Sequence, residues 1–525
     1  MKLSSLLASL TLESTDSPVM ERIPDSASGG DPEILSIYYR SQDVTPGGLF
    51  VAIRGLTADG HDFAGDAVRR GAVAVVAETP VDVPATVVRV SDSRRALADL
   101  AAAFYNHPSD GLTVIGITGT NGKTTVTYLI ESILSAAGHR TGVIGTVNIR
   151  YPGIVEDSAR TTPESLDIQW HLSRMRTAGC THAILEAASH GIALDRLAQT
   201  RFDVAAFTNL TQDHLDFHGD MERYWGVKKR LFTDLLRNGP KAQSAAAVIN
   251  RDDARGRELF GTLTGPKLSF GHDPDSDVHL VRHRSDLRGI RATLSTTAGP
   301  VEFASEMVGH HNLENMLCAA GVAVALGIPS EIIASGIERA AAAPGRLEPV
   351  TDPSGRFIFV DYAHTPDALE NVLKALKALK KGRLICVFGC GGDRDRQKRP
   401  LMGAIAVNLS DLAVVTSDNP RSEAPLSIIE DIVKGIDGSA DTASNAPDRP
   451  SGDERPVYIV EPDRRKAIHI ALSEAMAGDI VLIAGKGHER YQIVGDRTLH
   501  FDDREEAMAV IQQSLQFSSG ATTSR

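Results

Sequence analysis

Cysteine is scarce: Cys180, Cys318, Cys386 and Cys390 are the four in 525 residues, and no C-x-x-C spacing occurs. So few scattered thiols exclude a disulfide framework or thiolate zinc cluster and imply reduced thiols in a cytoplasmic protein. Positive charge is also short, since 55 Lys and Arg against 67 Asp and Glu give a net charge of −12. That balance argues against nucleic-acid or membrane partners, while a local basic pocket for a small anion stays compatible with it. No apolar run reaches the roughly 20 residues that span a bilayer. The start, MKLSSLLASLTLES, is interrupted by serines and followed by acidic residues, which spoils a signal-peptide core. Glycine (46), proline (25) and an apolar fraction of 42% lie near globular averages, so collagen-like and disordered classes are excluded.

Length suggests about three domains at roughly 150 residues each. Short apolar, β-branched runs recur: LFVAI (49–53), AVAVVAE (72–78), ATVVRV (85–90), LTVIGIT (112–118), HAILE (182–186), DVAAFTN (203–209) and AAAVIN (245–250). FIFVDY (357–362), RLICVFG (383–389), LAVVTS (412–417) and DIVLIAG (479–485) follow. Segments of helical period such as TTVTYLIESILSAAG lie between them, so the expectation is an α/β protein with parallel sheets and ligand sites beyond strand C-terminal ends. Punctuation at HPSDG (107–111) and AAAPGRLEPV (341–350) divides the chain into 1–110, 111–343 and 344–525. The polar segment 436–456 and the tail SSGATTSR are expected to be mobile.

TVIGITGTNGKTTVTYLIESIL carries the strongest signal. An apolar strand runs into Gly116, Gly119 and Gly122, then Lys123, Thr124, Thr125 and a helical pattern. Glycines let backbone N–H groups approach phosphate oxygens, the lysine supplies a point charge, and the helix start adds a favourable dipole. The usual G-x-x-x-x-G-K-[ST] would place glycine at 117, where this chain has Ile117. The loop by itself leaves motor, kinase, ligase and switch open.

HAILE ends on Glu186, which puts a carboxylate at a strand end where Mg²⁺ beside the phosphate loop would sit. FTNLTQDHLDFHGD delivers His214, Asp216 and His218 together, but lacks the Glu of a zinc-protease motif. In MERYWGVKKRLF, Tyr224, Lys228, Leu231 and Phe232 share one helix face, so Lys228 points inward while Lys229 turns to water. An inward lysine needs a partner or a changed charge.

The chain is identified as resembling the Mur ligase family, in its diaminopimelate-adding branch. GITGTNGKTT, TTPE (161–164), EAASHG, TNLTQDHLDFHG, VGHHNLEN (308–315), VDYAHTPDALENVL (360–373), VFGCGGDRDRQKRP (387–400), SDNPR (417–421) and AGKGHERYQ (484–492) carry the likeness. It implies a UDP-substrate-binding N-terminal domain, a central phosphate-loop ATPase and a Rossmann-like C-terminal domain that closes over the site. The implied enzyme is a cytoplasmic, monomeric ligase of peptidoglycan precursor synthesis using ATP and two Mg²⁺ ions. Its small-molecule partners would be ATP, UDP-muramyl-dipeptide and diaminopimelate. Lysine-adding and folylpolyglutamate-type ligases are the alternatives.

By the same resemblance Lys228 is N6-carboxylated and holds Mg²⁺ with Glu186 and His214, while Thr124 holds the first ion. Gly119, Thr120, Asn121, Gly122, Lys123, Thr124, Thr125, Asn312, Asn315, Arg346, Asp361 and His364 resemble the ATP contacts. Ser41, Thr161, Thr162, Ser189 and Arg196 resemble contacts to the UDP-substrate, and Arg394, Asp418, Asn419, Pro420, Arg421, Gly485 and Glu489 the diaminopimelate pocket. An arginine suits the distal carboxylate of that amino acid, and acidic groups suit its ammonium. The chain departs from the family at Ala188, Leu194, Arg40-Ser41-Gln42 and Leu56-Thr57.

Overall fold

The computed structural model describes residues 1–10, 19–21, 31–55, 58–443 and 458–520. Leu56-Thr57, most of the polar segment 436–456 and the last five residues lie outside them. The part of that segment within them, 436–443, continues the helix Pro425–Ala443. An apolar stripe that includes Ile428, Ile429, Ile432 and Ile436 extends into it and is buried, which anchors its first turn. Two compact units make up the chain: Met1–His279 with Ser295–Gly299 and Leu317–Gly336, and Leu280–Leu294 with Pro300–Met316 and Ile337–Arg525.

The first unit contains two sheets. In the N-terminal one, Ser36–Tyr38, Gly48–Val51, Ala72–Ala77 and Thr86–Arg89 run parallel, and Val19–Glu21 is added antiparallel at the edge. In the central one, Ala246–Asn250, Val204–Phe207, Thr113–Thr118, His182–Glu186 and Thr141–Ile144 lie side by side in that order, all parallel. These strands read as unbroken apolar runs because both faces are covered. The helix Lys123–Ala136 covers one face by burying Val126, Leu129, Ile130, Ile133 and Leu134, spaced three and four residues apart. Each such side chain contributes about 1.5–3 kcal/mol on burial. Thr113–Thr118 therefore sits mid-sheet, and its C-terminal end is flanked by the ends of His182–Glu186 and Val204–Phe207.

The second unit is built on a six-stranded sheet in the order Glu348–Val350, Phe357–Asp361, Ile480–Ala484, Leu384–Phe388, Leu412–Val415, Tyr458–Val460. Only the first strand is antiparallel. Alternate residues feed two cores: Leu384, Cys386 and Phe388 pack with Met402 and Ile432, whereas Ile385 and Val387 pack with Ile468 and Val510. All four cysteines are free and buried.

Candidate active site

The strand ends converge where the sequence led us to look. Glu186 closes its strand with the side chain buried; its carboxylate accepts from Thr146 N at 2.9 Å, Thr146 Oγ1 at 2.8 Å and Thr124 Oγ1 at 3.1 Å. Gly119 and Gly122 have φ of +149° and +89°, and a Cβ on Gly119 would collide with Thr208 Oγ1. The loop after Val204–Phe207 clamps the phosphate loop: Thr120 N donates to Asn209 O and Asn121 N to Asn209 Oδ1, both at 2.9 Å. Thr208 Oγ1 donates to Asn121 O at 2.6 Å. Lys123 Nζ turns back to Gly119 O and Thr120 O at 2.9 and 2.8 Å. Thr124 and Thr125 are buried in the first helical turn.

The inward stripe is present: Tyr224, Lys228, Leu231 and Phe232 are all buried, with Lys228 1% exposed. Trp225 joins them, and Lys229 is half-buried rather than facing water. The helix Met221–Arg230 widens to a π-turn over Leu231–Leu235, which carries the stripe onward. Lys228 Nζ donates to Gly119 O at 2.7 Å and lies 4.6 Å from the Tyr224 ring centre. Burial, followed by repulsion from Lys123, holds its pKa well below the ordinary lysine range. His214 caps the short helix Leu215–His218 with φ +53°, half-exposed, its Nε2 3.2 Å from Asp213. Its ring stacks edge-on at 4.8 Å from His190, whose presence the sequence reading did not single out.

Thr161, Thr162, Ser189 and Arg196 lie around the same strand end. Thr162 Oγ1 donates to Glu186 O at 2.7 Å and accepts from Ala188 N at 3.0 Å, while Thr161 Oγ1 is 3.1 Å from Thr146 Oγ1. Ala188 occupies the N-cap of the helix Ser189–Ala193, where it offers no side-chain acceptor. Ser189 Oγ is 3.0 Å from His218 Nε2. Arg196 donates to Thr162 O and pairs with buried Glu164, both at 3.0 Å, and Glu164 also pairs with Arg94 and Arg160. Ser41 opens the turn Ser41–Asp43 and its hydroxyl bonds Asp66. A cleft of about 480 Å³ is lined by Tyr39, Arg40, Asp43, Arg160, Asp167 and Trp170 among others.

In the second unit Asn312 and Asn315 are buried on the helix His310–Ala325, with Asn315 Nδ2 donating to Asn312 Oδ1 at 3.2 Å. Arg346, Asp361 and His364 gather around Tyr362: the Arg346 guanidinium lies 4.8 Å from its ring centre and the His364 ring 4.5 Å away. Asp361 accepts from Leu347 N at 2.6 Å and Ala363 N at 2.8 Å, and burial raises its pKa.

The remaining residues follow the ends of adjacent parallel strands. Asn419 Nδ2 donates to Glu489 at 2.9 Å, and Gly485, with φ +118°, lets the Asp418 carboxylate pack against its Cα. Arg421, with φ +53°, donates to Gly392 O at 2.8 Å. A Cβ on Gly392 would meet Pro420 O, so the GCGGDRD loop can lie on the DNPR turn only as glycine. Arg394 is exposed and bonds Asp393 O at 3.1 Å; its stem and the Arg421 head flank Gly391. Three buried cations went unremarked in the sequence, the first of them Arg399, which pairs with Glu423 and Asp431. Lys486 Nζ donates to Asn419 Oδ1 at 2.9 Å, and Arg464 forms a bidentate pair with Asp503 at 2.7 and 2.6 Å.

Buried Thr124 Oγ1 and Glu186 offer hard oxygen ligands of the kind Mg²⁺ prefers. Lys228 as an ammonium is a donor with no lone pair to offer, whereas its carboxylated form would supply oxygen ligands of the same kind.

Comparison with known proteins agrees along the chain. The Mur ligase family catalytic-domain description matches residues 33–105, the Mur ligase middle domain 117–323, and the Mur ligase glutamate ligase domain 345–487. The UDP-N-acetylmuramoyl-L-alanyl-D-glutamate–2,6-diaminopimelate ligase of Geobacter sulfurreducens is 46% identical over 484 residues, 92% of this chain and 95% of that one. Its namesake from Gloeobacter violaceus is 44% identical over 514 residues, 97% of both chains. A solved structure of a ligase with this name is 33% identical, has a TM-score of 0.65, and covers 94% of this chain and 98% of its own. Folylpolyglutamate synthase of Mycobacterium tuberculosis, 18% identical over 75% of this chain and 92% of its own with a TM-score of 0.58, shares the fold alone. With a three-domain α/β architecture and relatives of this identity over almost its full length, the chain belongs to the Mur ligase family.

Proposed function

We propose that this chain is an ATP-dependent amide ligase that joins diaminopimelate to UDP-N-acetylmuramoyl-L-alanyl-D-glutamate, with domains at 1–110, 111–343 and 344–525. The observation that carries the reading is that relatives 42–46% identical over nine-tenths of the chain share this name. The geometry supports it, since the phosphate loop, Glu186 and the DNPR turn are each held by hydrogen bonds at strand ends.

The D-glutamyl γ-carboxylate attacks the γ-phosphorus of ATP, breaking the bond to the bridging oxygen and giving an acyl phosphate and ADP. The diaminopimelate amine then attacks the acyl carbon, and phosphate leaves as the amine proton is lost. Lys123 and the helix start hold the phosphates, with Asn312, Asn315, Arg346, Asp361 and His364 completing the nucleotide contacts. Thr161, Thr162, Ser189 and Arg196 orient the muramyl dipeptide, with Ser41 toward the uridine. Arg394 and Arg421 take the distal carboxylate of diaminopimelate, and Asp418 and Glu489 its ammonium. Thr124, Glu186, His214 and carboxylated Lys228 would hold two Mg²⁺ ions, which when bound neutralise charge on the transferring phosphoryl group.

The depressed pKa of Lys228 favours the neutral amine, the form that adds CO₂ with loss of a proton. The carbamate nitrogen retains one N–H, enough to keep the bond to Gly119 O. The test is phosphate release from ATP with UDP-muramyl-dipeptide, run in parallel with meso-diaminopimelate, LL-diaminopimelate and L-lysine. Release equally fast without any amino acid, or fastest with lysine, would overturn the assignment.

A further inference from the structure

Lys486 is fully buried, yet its ammonium faces two carboxylates that it does not hydrogen-bond. Nζ donates to Asn419 Oδ1 at 2.9 Å and Tyr491 O at 2.7 Å, and stands 3.6 Å from Asp418 Oδ1 and 3.9 Å from Glu489 Oε2. Asn419 passes the link on by donating to Glu489 at 2.9 Å. Arg464, the other buried cation here, is taken up by Asp503. With Arg464 taken up by Asp503, Lys486 is the cation set against the neighbouring carboxylates Asp418 and Glu489, while Arg421 and Arg394 flank the other end at Gly391. An enclosure divided in this way accepts a zwitterionic amino-acid end, with its ammonium on the carboxylates and its carboxylate on the arginines. Without Lys486 the acidic end carries two like charges with no cation between them, which is costly to maintain.

We infer that Lys486 is a positioning and specificity-determining residue for the incoming amino acid: it holds Asn419 and Glu489 in place and sets its charge against the two pocket carboxylates, so that the pocket selects a zwitterionic end over a plain amine. This rests on the diaminopimelate reading above. Burial and the proximity of Asp418 already raise the Glu489 carboxyl, and Lys486 lowers it again. The groups facing Glu489 are Asp418, Asn419, Arg421, Arg464, Tyr362 and Lys486, whose own pKa burial lowers. Removal of the lysine thus pushes the Glu489 carboxyl further up, and its charged form returns only as pH rises.

The test compares the wild-type enzyme with Lys486→Met and Lys486→Gln between pH 6.5 and 8.5, measuring KM for each of the three substrates. The expected result is a KM for diaminopimelate about tenfold higher at pH 7 in both variants, falling as pH rises, while the wild-type KM stays flat. KM for ATP and for the UDP-substrate should hold within about twofold. Glutamine can still donate to Asn419, so a shared pH dependence assigns the effect to charge. If either variant is too unstable to assay, Lys486→Met/Glu489→Gln, which restores the original net charge, should regain folding and lose the pH dependence. A flat, unchanged KM for diaminopimelate, an equal rise in all three KM values, or a double variant no more stable than an unstable single one overturns the inference. Failure of the wild-type enzyme to use diaminopimelate would instead overturn the assignment of substrate.

Discussion

Replacing Arg464 with Met isolates a charge that the second unit cannot afford to leave alone. Arg464 and Asp503 are both wholly buried, with the guanidinium donating twice to the carboxylate at 2.7 and 2.6 Å. The same guanidinium donates to Ala484 O at 2.9 Å and Ser417 O at 3.4 Å, the residues just before Gly485 and Asp418. Removing one partner of a buried pair costs about 3–5 kcal/mol, because the other charge remains without compensation. For a unit of this size about 2–4 °C is lost per kcal/mol, so the melting temperature of that unit should fall by about 6–20 °C in calorimetry. Hydrogen exchange should quicken around residues 415–420 and 482–487, whose carbonyls lose their clip. Arg464→Met/Asp503→Leu removes both charges and should recover most of the stability, since an apolar pair of similar volume is close to neutral. The recovered protein should nevertheless keep a raised KM for diaminopimelate, because the two strand ends remain unclipped. A single variant losing less than about 1 kcal/mol, or a double variant as unstable as the two singles summed, would refute the reasoning.

Lys228→Ala should lose activity at least a hundredfold and regain part of it with added formate or acetate, as a free carboxylate takes the place of the carbamate; unchanged activity would remove this lysine from the metal site. Gly119→Ala should raise KM for ATP about tenfold, since its Cβ meets Thr208 Oγ1 at a backbone φ of +149°. The added change Thr208→Ala should relieve part of that loss, measured by steady-state kinetics. Asn209→Ala removes the Oδ1 that accepts from Asn121 N, while the backbone carbonyl that accepts from Thr120 N stays, and should weaken ADP binding by calorimetry about twofold to tenfold, with little change in melting temperature.

Elements buried on both faces were legible because their residues form unbroken apolar runs. The eleven runs picked from the sequence all became strands, HAILE to the residue. The antiparallel strands Asn148–Tyr151, Ile154–Asp157 and Tyr491–Val494 were not legible, since each carries polar residues on an open face and none forms a run. Inward Lys228 could be read from its helical neighbours, whereas Lys486 and Arg464 could not. Lys486 sits in a loop with no periodicity to orient it, and Arg464 begins a helix, where a charged residue reads as solvent-facing. Their burial is set by partners 67 and 39 residues away, a relation that no local pattern contains.

The departure of the phosphate loop from the usual spacing has a cause in sheet register. Ile117 pairs with Glu186 on one side and Ala206 on the other, so it is still strand, and the strand continues through Thr118. A glycine at 117 would loosen the sheet at the level where Glu186 must be held. The turn is consequently confined to Gly119–Gly122, and the backbone must reverse within four residues, which the two positive φ values at its ends achieve. Two N–H groups in that turn, those of Thr120 and Asn121, are spent on Asn209. Under the proposed function, phosphate recognition would therefore shift onto the helix start, where the N–H groups of Gly122, Thr124 and Thr125 have no acceptor within the helix by its geometry. The short loop thus trades a wide backbone cradle for rigidity, and it places Thr124 Oγ1 at 3.1 Å from Glu186, where a longer turn would leave that hydroxyl free to wander.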